Sequence, residues 1–115
     1  MADHSLELLK GTLDVLILRT VSAGQLHGYA IWKAILQASG EAFDVEEGAL
    51  YPALRRLEQR GLLTGSWGRT ESGREARFYA LTTAGRERLA VEVQNWERYA
   101  EAMGRVLGAR TRRGR

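Results

Sequence analysis

The chain has 115 residues, 44% hydrophobic and 27% charged, with no cysteine and two histidines. That is one domain of ordinary globular composition, long enough to bury a core. It excludes disulfide frameworks, thiolate catalysis, cysteine-built zinc sites and any histidine-rich metal site. The net charge of +3 is unevenly placed: residues 1–60 carry 6 basic and 8 acidic side chains, residues 61–115 carry 11 basic, every one arginine, and 6 acidic. Arginine's rigid fork suits phosphate and guanine edges, so the C-terminal excess suggests a polyanion partner, although a base-composition bias would give the same enrichment. The longest apolar run, Val15 to Leu18, is bounded by Asp14 and Arg19, far short of the roughly 20 residues a membrane span needs. The N-terminus lacks the basic-then-apolar order of a signal peptide, so a cytoplasmic protein without membrane partners is expected.

Residues 6–21 place Leu6, Leu9, Leu13, Leu16, Ile17 and Val21 at steps of three and four, which predicts a first helix. Ser22 to Gln25 breaks the pattern. Gly28 opens a second helix with Ile31, Ala34, Ile35 and Ala38 on one face, and Gly40 ends it. His27, just before it, is expected to cap or pack there. Asp44 and Glu47 have capping-box spacing ahead of a third helix, whose Leu50, Leu54 and Leu57 line one face and whose stop is Gly61. Pro52 deletes the hydrogen bond to residue 48. Because residue 48 is glycine, the proline is expected to tighten or bend the helix without ending it.

From Leu62 the period changes to strand-like. Residues 62–69 and 74–82 flank the turn cluster Thr70–Gly73, predicting a β-hairpin with Arg69, Arg74 and Arg77 near its tip. Thr82 or Thr83 caps a last helix in which Leu89, Val93, Trp96, Ala100, Met103 and Leu107 step 4-3-4-3-4, a strict heptad seam. The body of the domain is too small to cover this seam, so a second copy of the chain is expected on it, with Leu9 and Leu13 of the partner's first helix alongside. Residues 109–115 form a basic tail without pattern, expected to be disordered.

This order gives a mainly α fold with a small β-hairpin: a winged helix-turn-helix over residues 1–82 and a dimerisation helix over 83–108. A helix held at a corner of such a domain fits a major groove about 12 Å wide. With Leu50, Leu54 and Leu57 inward, its outer face holds Gly48, Pro52, Arg55 and Gln59, with Tyr51 on the flank. Small Gly48 and flat Pro52 permit close approach, Tyr51 offers a ring and a hydroxyl, and Arg55 offers a bidentate fork. An ordinary solvated helix face would carry the same residue types.

Four segments, LLKGTLDVLIL (8–18), LHGYAI (26–31), EEGALYPALRRLEQRGLL (46–63) and FYALTTAGRERL (78–89), resemble the PadR family of transcriptional regulators. The likeness spans roughly residues 6–107 and is to the short subfamily with a single C-terminal helix. It implies a homodimeric, mostly repressor-type protein on pseudo-palindromic double-stranded DNA operators. It adds Lys10, Tyr29 and Lys33 as backbone contacts to the groove-facing residues, and at least one of Arg69, Arg74 and Arg77 on the wing. Tyr29 gains support from the amides at its helix N-terminus, which favour phosphate. Trp96, mid-seam, is expected in the dimer core. Because some relatives sandwich planar ligands, it is also a candidate wall for a small aromatic effector. Trp32 and Trp67 are expected in local packing.

Two other readings stay open: a ligand-sensing protein built around Trp96, and an adaptor whose seam pairs with a different chain. Catalysis is not expected. One ordered histidine, no phosphate-binding glycine loop and no metal spacing leave no nucleophile-and-base pair and no cofactor. The acids Glu41, Asp44, Glu46 and Glu47 lie near a helix start, where they offset its dipole.

Overall fold

A computed structural model describes residues 8, 9 and 11–108. Lys10, His4 and the basic segment 109–115 lie outside them. The elements run α1 (Thr12–Thr20), a 3-10 turn (Val21–Ala23), β1 (Leu26–His27), α2 (Gly28–Ala38), α3 (Glu47–Gln59), β2 (Leu63–Arg69), β3 (Glu75–Leu81) and α4 (Thr83–Leu107).

The core forms where the apolar stripes of three short helices meet one face of the hairpin. Ile17, Leu18 and Val21 come from the first segment, Ile31 and Ile35 from α2, and Leu50, Ala53, Leu54 and Leu57 from α3. Leu62, Leu63, Tyr79 and Leu89 close it from the wing side and the start of α4. No charged side chain is buried among the described residues, as expected when desolvating a charge costs more than a small core returns.

Three local expectations need correction. The first helix starts at Thr12, not residue 6. Gly11 adopts φ 87 in the left-handed region, which breaks helical continuity, and the Leu9 carbonyl accepts from the Thr12 backbone amide and hydroxyl instead. The capping box at Asp44 does not form. Glu46 holds the N-cap position without a side-chain cap, while Asp44 accepts a 2.9 Å hydrogen bond from the Trp32 indole. The hairpin is also joined by a third strand. β1 pairs antiparallel with β3, Leu26 opposite Tyr79 and His27 opposite Phe78, giving the order β1-β3-β2.

Other expectations stand. His27 caps α2, its ring nitrogen accepting from Ala30 at 3.4 Å, and its ring meets Phe78 edge-on. Trp32 packs partly buried against the core. Pro52 sits inside an unbroken α3. Its missing amide falls on the exposed side, next to Gly48, around which the space is open.

The root of α4 is pinned. Thr82 caps the helix by accepting from the Gly85 amide at 2.9 Å, and its hydroxyl donates to the Gly61 carbonyl at 2.7 Å. Gly85 lies so close to β2 that a Cβ there would stand 2.2 Å from the Leu62 carbonyl oxygen. Only glycine permits that approach.

Candidate nucleic-acid interface

The heptad of leucines that buries one side of α3 decides what its other side offers. Leu50, Leu54 and Leu57 are at most 2% exposed, so the helix cannot rotate without emptying the core. Gly48, Tyr51, Pro52, Arg55 and Gln59 are all exposed on the opposite side, where the spacing placed them. Among the described residues Arg55 pairs with no carboxylate, whereas its neighbours Arg56 and Arg60 reach Asp14 of α1 at 2.8 and 3.7 Å. The adjacent arginines therefore divide the work: Arg56 and Arg60 tie α3 to α1, and Arg55 stays open to a ligand.

Tyr51 is 41% exposed and rests on Gly28, where a Cβ would come within 2.5 Å of its ring. The glycine at the start of α2 thus sets the position of a side chain on α3. Tyr29, on the next residue of α2, is 60% exposed and leans on Trp32 with ring centroids 5.4 Å apart. Lys33, one turn on, is exposed as well. Tyr29, Lys33, Tyr51 and Arg55 are thus presented outward from two adjoining helices.

The wing departs from expectation in its arginines. Arg77 is not at the tip; it lies opposite Trp67 in the third residue pair from the turn. Its guanidinium is engaged by the Glu58 carboxylate on α3 and lies over the Trp67 ring, 5.6 Å from the centroid. The bond to Glu58 raises the arginine's pKa above its ordinary value. A Cβ at Gly65 would stand 2.8 Å from this side chain, so the strand leaves a gap for it. Arg69 braces the turn by donating to the Gly73 carbonyl at 2.9 Å. Arg74 is exposed at the turn and forms no ion pair among the described residues. Trp67 is 66% exposed and packs locally, against Arg77 of the neighbouring strand.

Sequence reasoning missed Glu58 and Tyr79. Glu58 lies on the same stripe of α3 as Tyr51 and Arg55, seven and three residues away, at the end of the stripe that meets Arg77 of the wing. Tyr79 stands where that stripe meets β3. Burial pushes its phenol pKa up, Glu58 adds to the rise, and Arg77 and Arg55 oppose it. The Glu58–Arg77 pair thus joins α3 to the wing.

The seam of α4 divides in two. Leu89 is 8% exposed and belongs to the chain's own core, and Val93 packs against that core, so the expected interface role of Leu89 is corrected: the domain has already used it. Leu13 is likewise partly buried against the core. Beyond Val93 the helix is largely exposed among the described residues. Trp96 is 45% exposed and Met103 and Leu107 more open still or nearly so, with Tyr99 and Val106 beside them. Ala100 and Leu9 are exposed as well. Trp96 stacks on Tyr99, centroids 5.7 Å apart.

No described helix is long and apolar enough to cross a membrane. Residues 17–91 match the transcriptional regulator PadR-like family. A transcriptional regulator of Mycobacterium tuberculosis is 32% identical over 91% of this chain and 92% of its own length. Among solved structures, a PadR-like transcriptional regulator from Bacillus cereus superposes with a TM-score of 0.74 at 26% identity, over 93% of this chain and 97% of the other. A PadR family transcriptional regulator from Eggerthella lenta gives 0.72 at 31%, over 88% and 86%.

Proposed function

The chain belongs to the PadR-like family of transcriptional regulators, and from that premise we propose that it is a cytoplasmic repressor that binds a pseudo-palindromic operator as a homodimer. The observation that carries the reading is the open face of α3, with Tyr51 and Arg55 held outward by a fully buried leucine stripe. α3 enters the major groove, Arg55 supplies the fork for a guanine edge, and Tyr51 and Gln59 contact neighbouring bases or phosphate. Tyr29 and Lys33 meet the backbone beside it, with Gly48 and Pro52 allowing close approach. On the wing, Arg74 is the phosphate contact, while Arg69 and Arg77 hold the wing in place. Lys10 is assigned a backbone contact on the family resemblance alone.

A second copy covers Trp96, Ala100, Met103 and Leu107, with Leu9 and Leu13 of the partner alongside, and sets two reading helices one turn of DNA apart, about 34 Å. The reading involves no catalytic step and no cofactor. Exposed Trp96, stacked on Tyr99, also favours a second role: one wall of a site for a planar aromatic effector between the two copies.

Fluorescence anisotropy with a duplex from upstream of the protein's own gene, beside a scrambled duplex, tests the reading at two salt concentrations. Preferential binding to the native duplex, weakened by salt as phosphate contacts require and by Arg55→Ala, is the expected result. Equal, salt-insensitive binding to both duplexes would overturn it.

A further inference from the structure

Between the start of α2 and the start of α3 lies a cavity of about 270 Å³, of whose lining the reading above uses only Tyr29 and Tyr51. Its walls are aromatic: Tyr29 and Trp32 from α2, and Tyr51 from α3. Its polar groups are the carboxylates of Asp44 and Glu47, and no lysine or arginine lines it. Val45 and Leu50, both buried, close the bottom.

These residues define what the cavity accepts. Three aromatic side chains line it, and an aromatic face attracts a cation through its quadrupole, most strongly when the cation is weakly hydrated, as a quaternary ammonium is. Two carboxylates add full negative charges. The helix N-termini oppose them, but each carries only about half a unit of positive charge. A phosphate is disfavoured by the same two acids, so the interior of the cavity selects a different charge from the DNA-contacting surface that shares Tyr29 and Tyr51 with it. The volume falls just under the roughly 300 Å³ at which drug-sized pockets begin, which limits the occupant to a single ring or a small alkyl ammonium. Asp44 is also held in place, because the Trp32 indole donates to one of its oxygens at 2.9 Å, leaving the other free for the ligand.

We propose that this cavity is a binding site for a small organic cation, a quaternary ammonium or aromatic amine, held by Tyr29, Trp32 and Tyr51 and neutralised by Asp44 and Glu47. Its occupant touches Tyr29 and Tyr51, which the proposed DNA contact also uses. The site lies within one copy of the chain and is separate from the Trp96 seam. It does not rest on the DNA-binding reading, and its test uses no DNA.

In a Trp67→Phe, Trp96→Phe background, Trp32 is the only indole, and both replaced residues are exposed. Titration with benzyltrimethylammonium should change Trp32 emission saturably, and benzyl alcohol, of the same ring but no charge, should not. Asp44→Asn with Glu47→Gln should weaken the apparent affinity by roughly tenfold or more. Tyr29→Leu, at a position 60% exposed and so safe for folding, should weaken it independently. A titration without saturation, equal binding of benzyl alcohol, or affinity unchanged in the paired amide variant would each overturn the proposal.

Discussion

α3 and α4 both leave a face uncovered, but the two faces differ in kind. On α3 every apolar side chain of the stripe is buried and what remains outside is Tyr51, Arg55 and Gln59. On α4 only Gly85 and Leu89 are buried, and what remains outside includes Trp96, Tyr99, Met103, Val106 and Leu107. A polar face beside a completed core loses nothing in water and is available to a charged ligand. A run of exposed large apolar side chains on a helix is costly in water and suits an apolar surface, as the proposed second copy would supply. α3 has buried its apolar stripe and exposes a polar face; α4 leaves large apolar side chains exposed, the face to which the proposed second copy is assigned.

Core substitutions probe that contrast most strongly. Leu54→Ala, at 0% exposure, should lower unfolding stability by about 2–5 kcal/mol, measured by denaturant melts. A change on the outer seam should act on assembly instead. Met103→Glu should turn a dimer into a monomer in sedimentation equilibrium, and a dimer that survives would place the interface elsewhere. Arg55→Ala should leave both the melt and the assembly alone while costing operator affinity roughly 10- to 100-fold. Glu58→Gln should do less: it releases Arg77, loosens the wing against α3, and weakens binding to every duplex in the same proportion, without altering sequence preference in a competition assay.

The smallest effect concerns Tyr79. Its phenol is raised above the unfolded value by burial. The stability it contributes as a neutral group is therefore full below the unfolded value, near pH 10, and is lost as pH rises through the folded one. Melts between pH 9 and 11 should show stability falling less steeply in Tyr79→Phe than in the unmodified chain.

The features read correctly from sequence are those set by near neighbours. The leucine spacing of α3, the Thr82 cap and the turn at Thr70–Gly73 depend on residues a few positions apart. The corrections share the opposite origin. β1 is two residues long and exists only because β3 lies beside it, so no alternation could reveal it. Asp44 leaves its capping role for an indole twelve positions back. Arg77, one of three candidate phosphate contacts, is engaged by a carboxylate nineteen positions away. Leu89 keeps perfect heptad phase with Trp96, yet periodicity cannot distinguish apolar residues covered by the same chain from those left for another. For the interface itself, the outward face of α3 followed from its inward one, whereas the partnering of Glu58 with the wing did not.

Gly85 gives the molecule a lever. Its close approach to the Leu62 carbonyl fixes the angle at which α4 leaves the domain, and α4 runs 25 residues, about 36 Å at 1.5 Å per residue. A side chain at the root would push the shaft away from the strand, and a tilt of five degrees moves the far end by roughly 3 Å. In a symmetric pair that error is doubled, close to the length of two base-pair steps. If two copies pair as proposed, one missing methyl at the fulcrum would help set the stride with which they step along the double helix.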